Sequence, residues 1–118
     1  MTQEFVPYEQ ALALKELGFD EHCFGYYSEG ELILNSHTNN HMQRFRYSAP
    51  TFSQAFRWLR EKYGLYSWIT IELGNKSTFC WVLSGEHTST QYAAYFHTYE
   101  EAELACLIKL IEIANEQK

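Results

Sequence analysis

This sequence predicts an α+β fold, with an antiparallel sheet of about five short strands and three helices packed mainly on one of its faces. The expected order of elements is α-β-β-α-β-β-β-α. Two observations support this prediction. Within the stretch 52–83, apolar residues first follow a helical period of about 3.6 and then the strand period of 2. Near the C-terminus, a capping signature stands directly before a long apolar run, which predicts a further helix.

The first half of the stretch 52–83 predicts a helix that buries one side. Its apolar residues recur three or four positions apart: Phe52, Ala55, Phe56, Leu59 and Tyr63. Gly64 can adopt the left-handed conformation that commonly ends a helix. From Tyr66 onward the pattern alternates, which places Ile69 and Ile71 on one face of a strand and Trp68 on the other. Turn residues at 74–77 then lead into a returning strand.

The first third of the chain predicts the same succession of helix, glycine, strand, turn and strand. Pro7 suits the first position of a helix, and Gly18 suits its end. Cys23–Ser28 is expected to form a strand, and Glu29-Gly30 a hairpin turn into a second strand at 31–35. The short segment 44–47 alternates and is either a strand or an extended arm.

The last third predicts a strand and the longest helix. Residues 90–97 alternate, with Tyr92, Ala94 and Phe96 expected on one face. Thr98 and Glu101 form a capping box before an apolar run that extends to about residue 115. The apolar arc of this helix is wider than one sheet face requires. It therefore predicts a second neighbour, either another helix or another subunit.

Composition is consistent with one domain over residues 1–118. Hydrophobic residues make up 46% of the chain and aromatic residues 17%, which is enough to build a core and argues against disorder. The apolar stretches are much shorter than a membrane span, and the first residues lack the pattern of a secretory signal. We therefore expect a cytoplasmic protein with no membrane interaction.

Charge is unevenly distributed along a chain whose net charge is −6. Residues 43–62 contain five basic residues and one acidic residue, whereas residues 1–31 and 86–118 carry net charges of −6 and −4. Because phosphate neutralisation drives non-specific nucleic-acid binding, an acidic chain disfavours that function in general. The basic segment 44–62 remains a candidate local site, with aromatic residues that could stack on bases. Its candidate contacts are Arg44, Arg46, Arg57 and Arg60.

Cysteines and histidines predict neither a disulfide framework nor a metal site. Cys23, Cys80 and Cys106 are odd in number and widely spaced, which fits a reducing compartment. His37 and His41 lie in a polar segment, residues 36–43, that predicts a loop without carboxylate or cysteine ligands nearby. We expect no metal and no cofactor.

Sequence motifs of the common enzyme classes are absent. The chain contains no glycine-rich nucleotide-binding motif, no phosphate loop, no zinc-protease motif and no nucleophile elbow. Many of its carboxylates fall on the expected outer sides of the terminal helices, where they solvate the surface. We therefore expect no catalytic residues and no enzymatic activity, although residues of a triad can assemble from distant positions.

Apolar and aromatic surface predicts a protein–protein interaction module, most simply one that forms a homodimer. Nine tyrosines and three tryptophans are residue types that interfaces favour. Trp68 lies on the strand face opposite the apolar one, and the long helix has its wide apolar arc. The candidate interface residues are Trp68, Leu107, Leu110 and Ile111. The alternative function is that of a nucleic-acid-binding accessory protein that uses segment 44–62.

Three segments resemble, in the same order, small uncharacterised proteins carried by prophages and other mobile elements of gut bacteria. These segments are FVPYEQALALKELGFDEHCFGYY, SAPTFSQAFRWLREKYGLYSWI and FHTYEEAELACLIKLIEI. The resemblance covers most of the chain except the polar segments 36–43 and 85–89. It implies a genomic setting, and it assigns no activity, cofactor or site residue to this sequence.

Overall fold

The computed structural model of the chain describes residues 4–38, 46–72 and 78–118. Within these residues the order of elements is α-β-β-β-α-β-β-β-α, with three strands after each of the first two helices. Their bounds are α1 Tyr8–Leu17, β1 Cys23–Ser28, β2 Glu31–Thr38, β3 Arg46–Ser48, α2 Phe52–Tyr63, β4 Leu65–Glu72, β5 Thr78–Gly85, β6 Thr88–Phe96 and α3 Tyr99–Gln117. The α+β class is thus confirmed.

Strand pairing differs from the prediction of one sheet of about five strands. The described strands form two antiparallel sheets of three, which we name sheet 1 (order β2-β1-β3) and sheet 2 (order β4-β5-β6). In sheet 1, β3 pairs antiparallel with the side of β1 that β2 leaves free, which makes β1 the central strand. The chain divides into two compact units, Met1–Ala55 and Phe56–Lys118. That one domain covers residues 1–118 stays a prediction.

The apparent repeat of helix, strand, turn and strand does not extend to topology. In sheet 1 the first strand of the unit is central, whereas sheet 2 is a meander with the second strand in the centre. Similar local chemistry therefore supports two different orders of strands.

The β1–β2 hairpin has the turn that the sequence predicts. Glu29 and Gly30 have φ angles of 54° and 83°, and two positive values in succession are typical of the tight turns whose twist matches paired strands. Gly30 adopts its angle without steric cost, while Glu29 has a Cβ and is strained there. β2 then extends to Thr38, so residues 36–38 of the predicted loop belong to a strand. The rest of that loop, 39–43, lies outside the described residues.

A cluster of tyrosines joins α1 to sheet 1. The Tyr8 ring lies edge-on to Tyr27 and to Tyr47, with ring centroids 5.4 and 6.0 Å apart. The Tyr27 hydroxyl donates a 2.7 Å hydrogen bond to the carbonyl of Val6, which satisfies a buried polar group. The Lys15 ammonium lies 4.5 Å from the centroid of Tyr47. These contacts dock α1 on the face of sheet 1 that contains Tyr27.

Helix ends largely follow the signals in the sequence. Gly18 and Gly64 have φ angles of 107° and 65°, which are the left-handed values expected of glycines that end helices. The N-terminus of α2 is capped by Thr51, whose hydroxyl accepts a 3.2 Å hydrogen bond from the backbone N–H of Gln54. Pro7 is the N-cap of α1 rather than its first helical residue.

Strand β6 departs from regular alternation. Phe79 pairs with Phe96 and Trp81 with Ala93, so β6 has one extra residue in this interval. Tyr95 lies there with a φ of 73°, a conformation that is unfavourable for any residue with a Cβ. The extra residue explains why Tyr92 and Phe96 do not share an environment: Tyr92 is exposed, whereas Phe96 is half-buried.

Helix α3 begins at the predicted cap. The Thr98 hydroxyl accepts a 3.1 Å hydrogen bond from the backbone N–H of Glu101. The Glu101 carboxylate accepts a 3.2 Å bond from the N–H of His97, one residue before the position that a standard capping box uses. The N–H of Glu101 lies in the first turn of α3 and would otherwise lack a partner within the helix.

Replacing Thr98 with alanine is expected to lower the free energy of unfolding by about 0.5–2 kcal/mol, because the cap acceptor is lost. Glu101→Ala should have a smaller effect, because only the bond from His97 is removed. Urea unfolding of both variants beside the wild type measures the two differences. If Thr98→Ala were as stable as the wild type, the cap would not stabilise α3.

Candidate interaction surface

One face of sheet 2 is covered by α3 and the other is open. α3 packs against all three strands of this sheet. Leu65, Trp81 and Leu83 point to the covered side and are buried. The residues between them in the alternation point to the opposite side, which we name the open face. Its described members include Tyr66, Trp68, Thr70, Cys80, Val82, Ser84, Thr90 and Tyr92, and among them Cys80 is buried.

Two exposed aromatic residues and a valine between them cross the open face from edge to edge. We name Trp68, Val82 and Tyr92 the aromatic row. Trp68 on β4 is paired with Val82 on β5, and Val82 is paired with Tyr92 on β6. The Trp68 side chain is 52% exposed and Tyr92 is 73% exposed, while Val82 between them is half-buried. Tyr66 adds a further exposed ring two residues before Trp68. Large aromatic rings with this exposure on one face of a sheet form an apolar patch of the kind that marks interaction sites.

Polar groups on the open face are hydroxyls rather than charges. Thr70, Ser84 and Thr90 accompany the aromatic residues, and the Thr90 hydroxyl donates a 3.3 Å hydrogen bond to that of Ser84. Glu72 is an ionisable residue with the same orientation, but it lies at the very end of β4. Most of the surface can therefore be covered without removing a charge from water.

Burial separates the four residues expected at an interface. Trp68 is at the surface, whereas Leu107 and Leu110 are 0% exposed and Ile111 is 6% exposed. These three side chains are covered within the chain itself, on a helix that packs against β4, β5 and β6. They are core residues, and this burial is the opposite of the exposure that interface residues need. That the wide apolar arc of α3 meets a second neighbour, either another helix or another subunit, stays a prediction. The arc is wide because α3 is buried over much of its circumference.

The described part of the basic segment, residues 46–62, does not present a ready nucleic-acid surface. Arg57 lies on the exposed side of α2 with its Nε 3.7 Å from the Glu61 carboxylate, so a neighbouring negative charge offsets part of its own. Arg60 is exposed on the same helix. Arg46 belongs to β3 in the other unit, and Arg44 lies outside the described residues.

The aromatic residues of that segment are also occupied. Trp58 is buried and packs edge-on against Tyr63, with centroids 5.6 Å apart. Tyr47 is half-buried between Tyr8 and the Lys15 ammonium. Neither ring is free to stack on a base. Phe45 lies outside the described residues.

An open cleft of about 760 Å³ lies at the C-terminal end of α2. Its charged lining consists of Arg60, Lys62, Glu61 and Glu86, with His87 at the β5–β6 turn, and all five are exposed. The opposite charges cancel, and no cysteine or serine lines the cleft as a nucleophile. Throughout residues 4–38, 46–72 and 78–118, no group of three or more ligand side chains could hold a metal ion. His37 lies in β2, and His41 lies outside these ranges.

The three thiols are buried and unsuited to nucleophilic chemistry. Burial raises the pKa of Cys23 from 9.0 to about 12, and hydrogen bonds from Ser48 and Gln54 offset only part of this rise. Burial likewise raises the pKa of Cys106 to about 11, against a hydrogen bond with Ser67. Both thiols are protonated near neutral pH, whereas a reactive cysteine needs a lowered pKa.

Comparison with protein-family models, curated proteins and solved structures finds no match for this chain. Among the described helices, none combines the length and the apolar content that crossing a bilayer requires. The surface chemistry of the chain is therefore the basis for a functional proposal.

Sequence reasoning identified Trp68 but missed the other members of the aromatic row. Tyr92 was grouped with Ala94 and Phe96 as one strand face, and the extra residue in β6 breaks this grouping. The exposure of Tyr66 depends on which sheet face α3 covers. Alternation alone shows that two faces exist, and it does not show which of them is covered.

Proposed function

We propose that this chain is a non-enzymatic protein-interaction module that associates with itself through sheet 2. The row of Trp68, Val82 and Tyr92 is the single observation that supports the proposal most directly. A monomer that leaves these rings in water forgoes the free energy that their burial would release. A second copy of the chain can bring further apolar side chains against part of this row.

Residue type also supports association. Tryptophan and tyrosine are enriched among the residues that dominate binding free energies, because they bury a large area with little loss of conformational freedom. Here the rings project from paired strands of a sheet whose other face is packed against α3. Little backbone ordering is therefore required on binding.

Size sets the expected affinity. A sheet of three strands about 4.8 Å apart and about eight residues long has a footprint of roughly 400 Å². A standard stable interface buries about 800 Å² per partner. About 400 Å² per partner is half of that area and has the size of a weak, transient interface, so we expect dimerisation no tighter than the micromolar range.

Charge favours a second copy over nucleic acid as the partner. Nucleic-acid binding requires unpaired positive charge, whereas the chain has a net charge of −6 and Arg57 faces Glu61. The open face itself is almost uncharged, so two identical copies can meet there without strong repulsion. We place the module in the cytoplasm of a bacterium carrying the mobile element, where three unpaired thiols would persist.

Light scattering across a micromolar concentration series should show the wild-type chain passing from monomer to dimer. Trp68→Ser should shift this transition to at least tenfold higher concentration, because the central ring is lost. Ile108→Ser is the matched control, since Ile108 is 45% exposed on α3, away from sheet 2's open side. A wild-type chain that remained monomeric throughout the series would refute self-association.

A further inference from the structure

The two edges of sheet 2 differ in regularity. β4 pairs with β5 through eight consecutive residue pairs, from Leu65 with Gly85 to Glu72 with Thr78, without a register shift. β6 has register shifts in two places, and Tyr95 within it has a φ of 73°. Bulges and strained backbone are devices that protect a sheet edge from pairing with another chain. β6 has this protection and β4 does not.

The sequence of β4 also lacks the residues that guard an edge. From Leu65 to Ile71 it reads LYSWITI, with no charge and no proline. Within the described part of the chain, β4 pairs with β5 alone, so its other side is an edge. An edge strand presents alternate N–H and C=O groups that can hydrogen-bond a further strand. Strong β-forming residues and a regular backbone make this edge a template for strand addition.

We propose that β4 pairs with β4 of a second copy, antiparallel, across a two-fold axis close to Trp68. The result is one continuous sheet of six strands with the order β6-β5-β4-β4-β5-β6. This inference rests on the self-association proposed above and specifies its geometry. It makes the edge of sheet 2, rather than the stacking of two open faces, the principal contact.

Side-chain chemistry fits a second copy as the partner. With the axis at Trp68, the two Trp68 rings become cross-strand neighbours, and Tyr66 of each copy lies opposite Thr70 of the other. Aromatic pairs in such positions stabilise a sheet by a further increment. Glu72 lies opposite Gly64 of the second copy, so the two Glu72 carboxylates are at opposite ends of the pair. No like charges face each other along the run.

Two matched lysine substitutions on the aromatic row distinguish edge pairing from face stacking. Trp68→Lys places two ammonium groups side by side at the proposed axis, and it should weaken dimerisation at least tenfold. Tyr92→Lys makes the same change of charge on the same face, but at the protected edge, and it should shift the dimerisation constant by less than threefold. Circular dichroism checks that each variant remains folded.

Hydrogen exchange of the wild-type chain tests the same geometry without substitution. As concentration rises through the dimerisation range, amides of β4 should become more protected, by at least tenfold at the outward-facing positions. Amides of β6 serve as the internal control and should not change.

Each outcome has a distinct meaning. A wild-type monomer at every concentration would refute the proposed function and this inference together. A dimer that Tyr92→Lys weakens as much as Trp68→Lys, or whose β4 protection does not depend on concentration, would overturn edge pairing and leave self-association standing. Binding of wild-type protein to single-stranded nucleic acid in place of dimerisation would overturn both.

Discussion

Replacing Leu110 with alanine is expected to lower the free energy of unfolding by about 2–5 kcal/mol, the largest effect that we predict. Leu110 is 0% exposed on α3, which packs against sheet 2. Truncation removes buried methyl groups and leaves a cavity that neighbouring strands cannot fully close. Urea unfolding monitored by circular dichroism measures the loss. Since a small domain is stable by only about 5–15 kcal/mol, this substitution removes a large fraction of the total.

Ile108→Ala on the same helix is the matched control. Ile108 lies two residues before Leu110 and is 45% exposed. The substitution removes a side chain of similar size from the same helix, but from its surface. We expect a loss of less than about 1 kcal/mol for this variant. If Leu110→Ala instead left stability unchanged and abolished the dimer, the original expectation of Leu110 as an interface residue would be restored.

Alkaline pH is expected to destabilise the protein by about 2–4 kcal/mol between about pH 9 and pH 11, through its buried thiols. The pKa of Cys23 is raised to about 12 and that of Cys106 to about 11, from 9.0, mainly by burial. Below pH 9 both the folded and the unfolded states keep these protons, so stability does not depend on them. Above pH 9 the unfolded thiols ionise while the folded ones do not. The unfolded state then binds fewer protons, and the free energy of unfolding falls as pH rises.

Urea unfolding at a series of pH values measures this slope, which should approach about 1.4 kcal/mol per pH unit for each thiol. Cys106→Ala should be flatter than the wild type by one such increment over this range. Part of the slope should remain in that variant, because it keeps Cys23 and because burial also raises the pKa of Tyr27. Constant stability up to pH 11 would show that the thiols ionise as readily in the folded state as in the unfolded one.

Local signals in the sequence predicted the ends of elements well. Gly18 and Gly64 end helices, Glu29-Gly30 turns a hairpin, and Thr98 caps α3. Each of these features depends on the backbone preference or the hydrogen-bonding group of a residue within a few positions of the site. Such preferences act over the same short distance in an isolated segment and in the folded protein. For this reason they can be read without the rest of the structure.

Strand pairing and side-chain exposure required the tertiary structure. Whether β3 pairs with β1 or extends a larger sheet depends on contacts between residues far apart in sequence, which periodicity does not specify. Leu110 and Trp68 are both large apolar residues with regular spacing, and they differ because α3 covers one face of sheet 2 and not the other.

The sequence by itself determined the α+β class, the positions of the three helices and the caps and turns that delimit them. Only the tertiary structure decided that the strands form two sheets, that α3 is buried over its wide apolar arc, and that Trp68 and Tyr92 remain in water. The physical reason is that hydrophobic burial is non-directional: an apolar residue must be covered, and its own pattern does not state by which element. In β6 even the alternation of side chains differs from the sequence pattern. Its pairing with β5 includes one extra residue near Tyr95, and this pairing is a property of the tertiary structure.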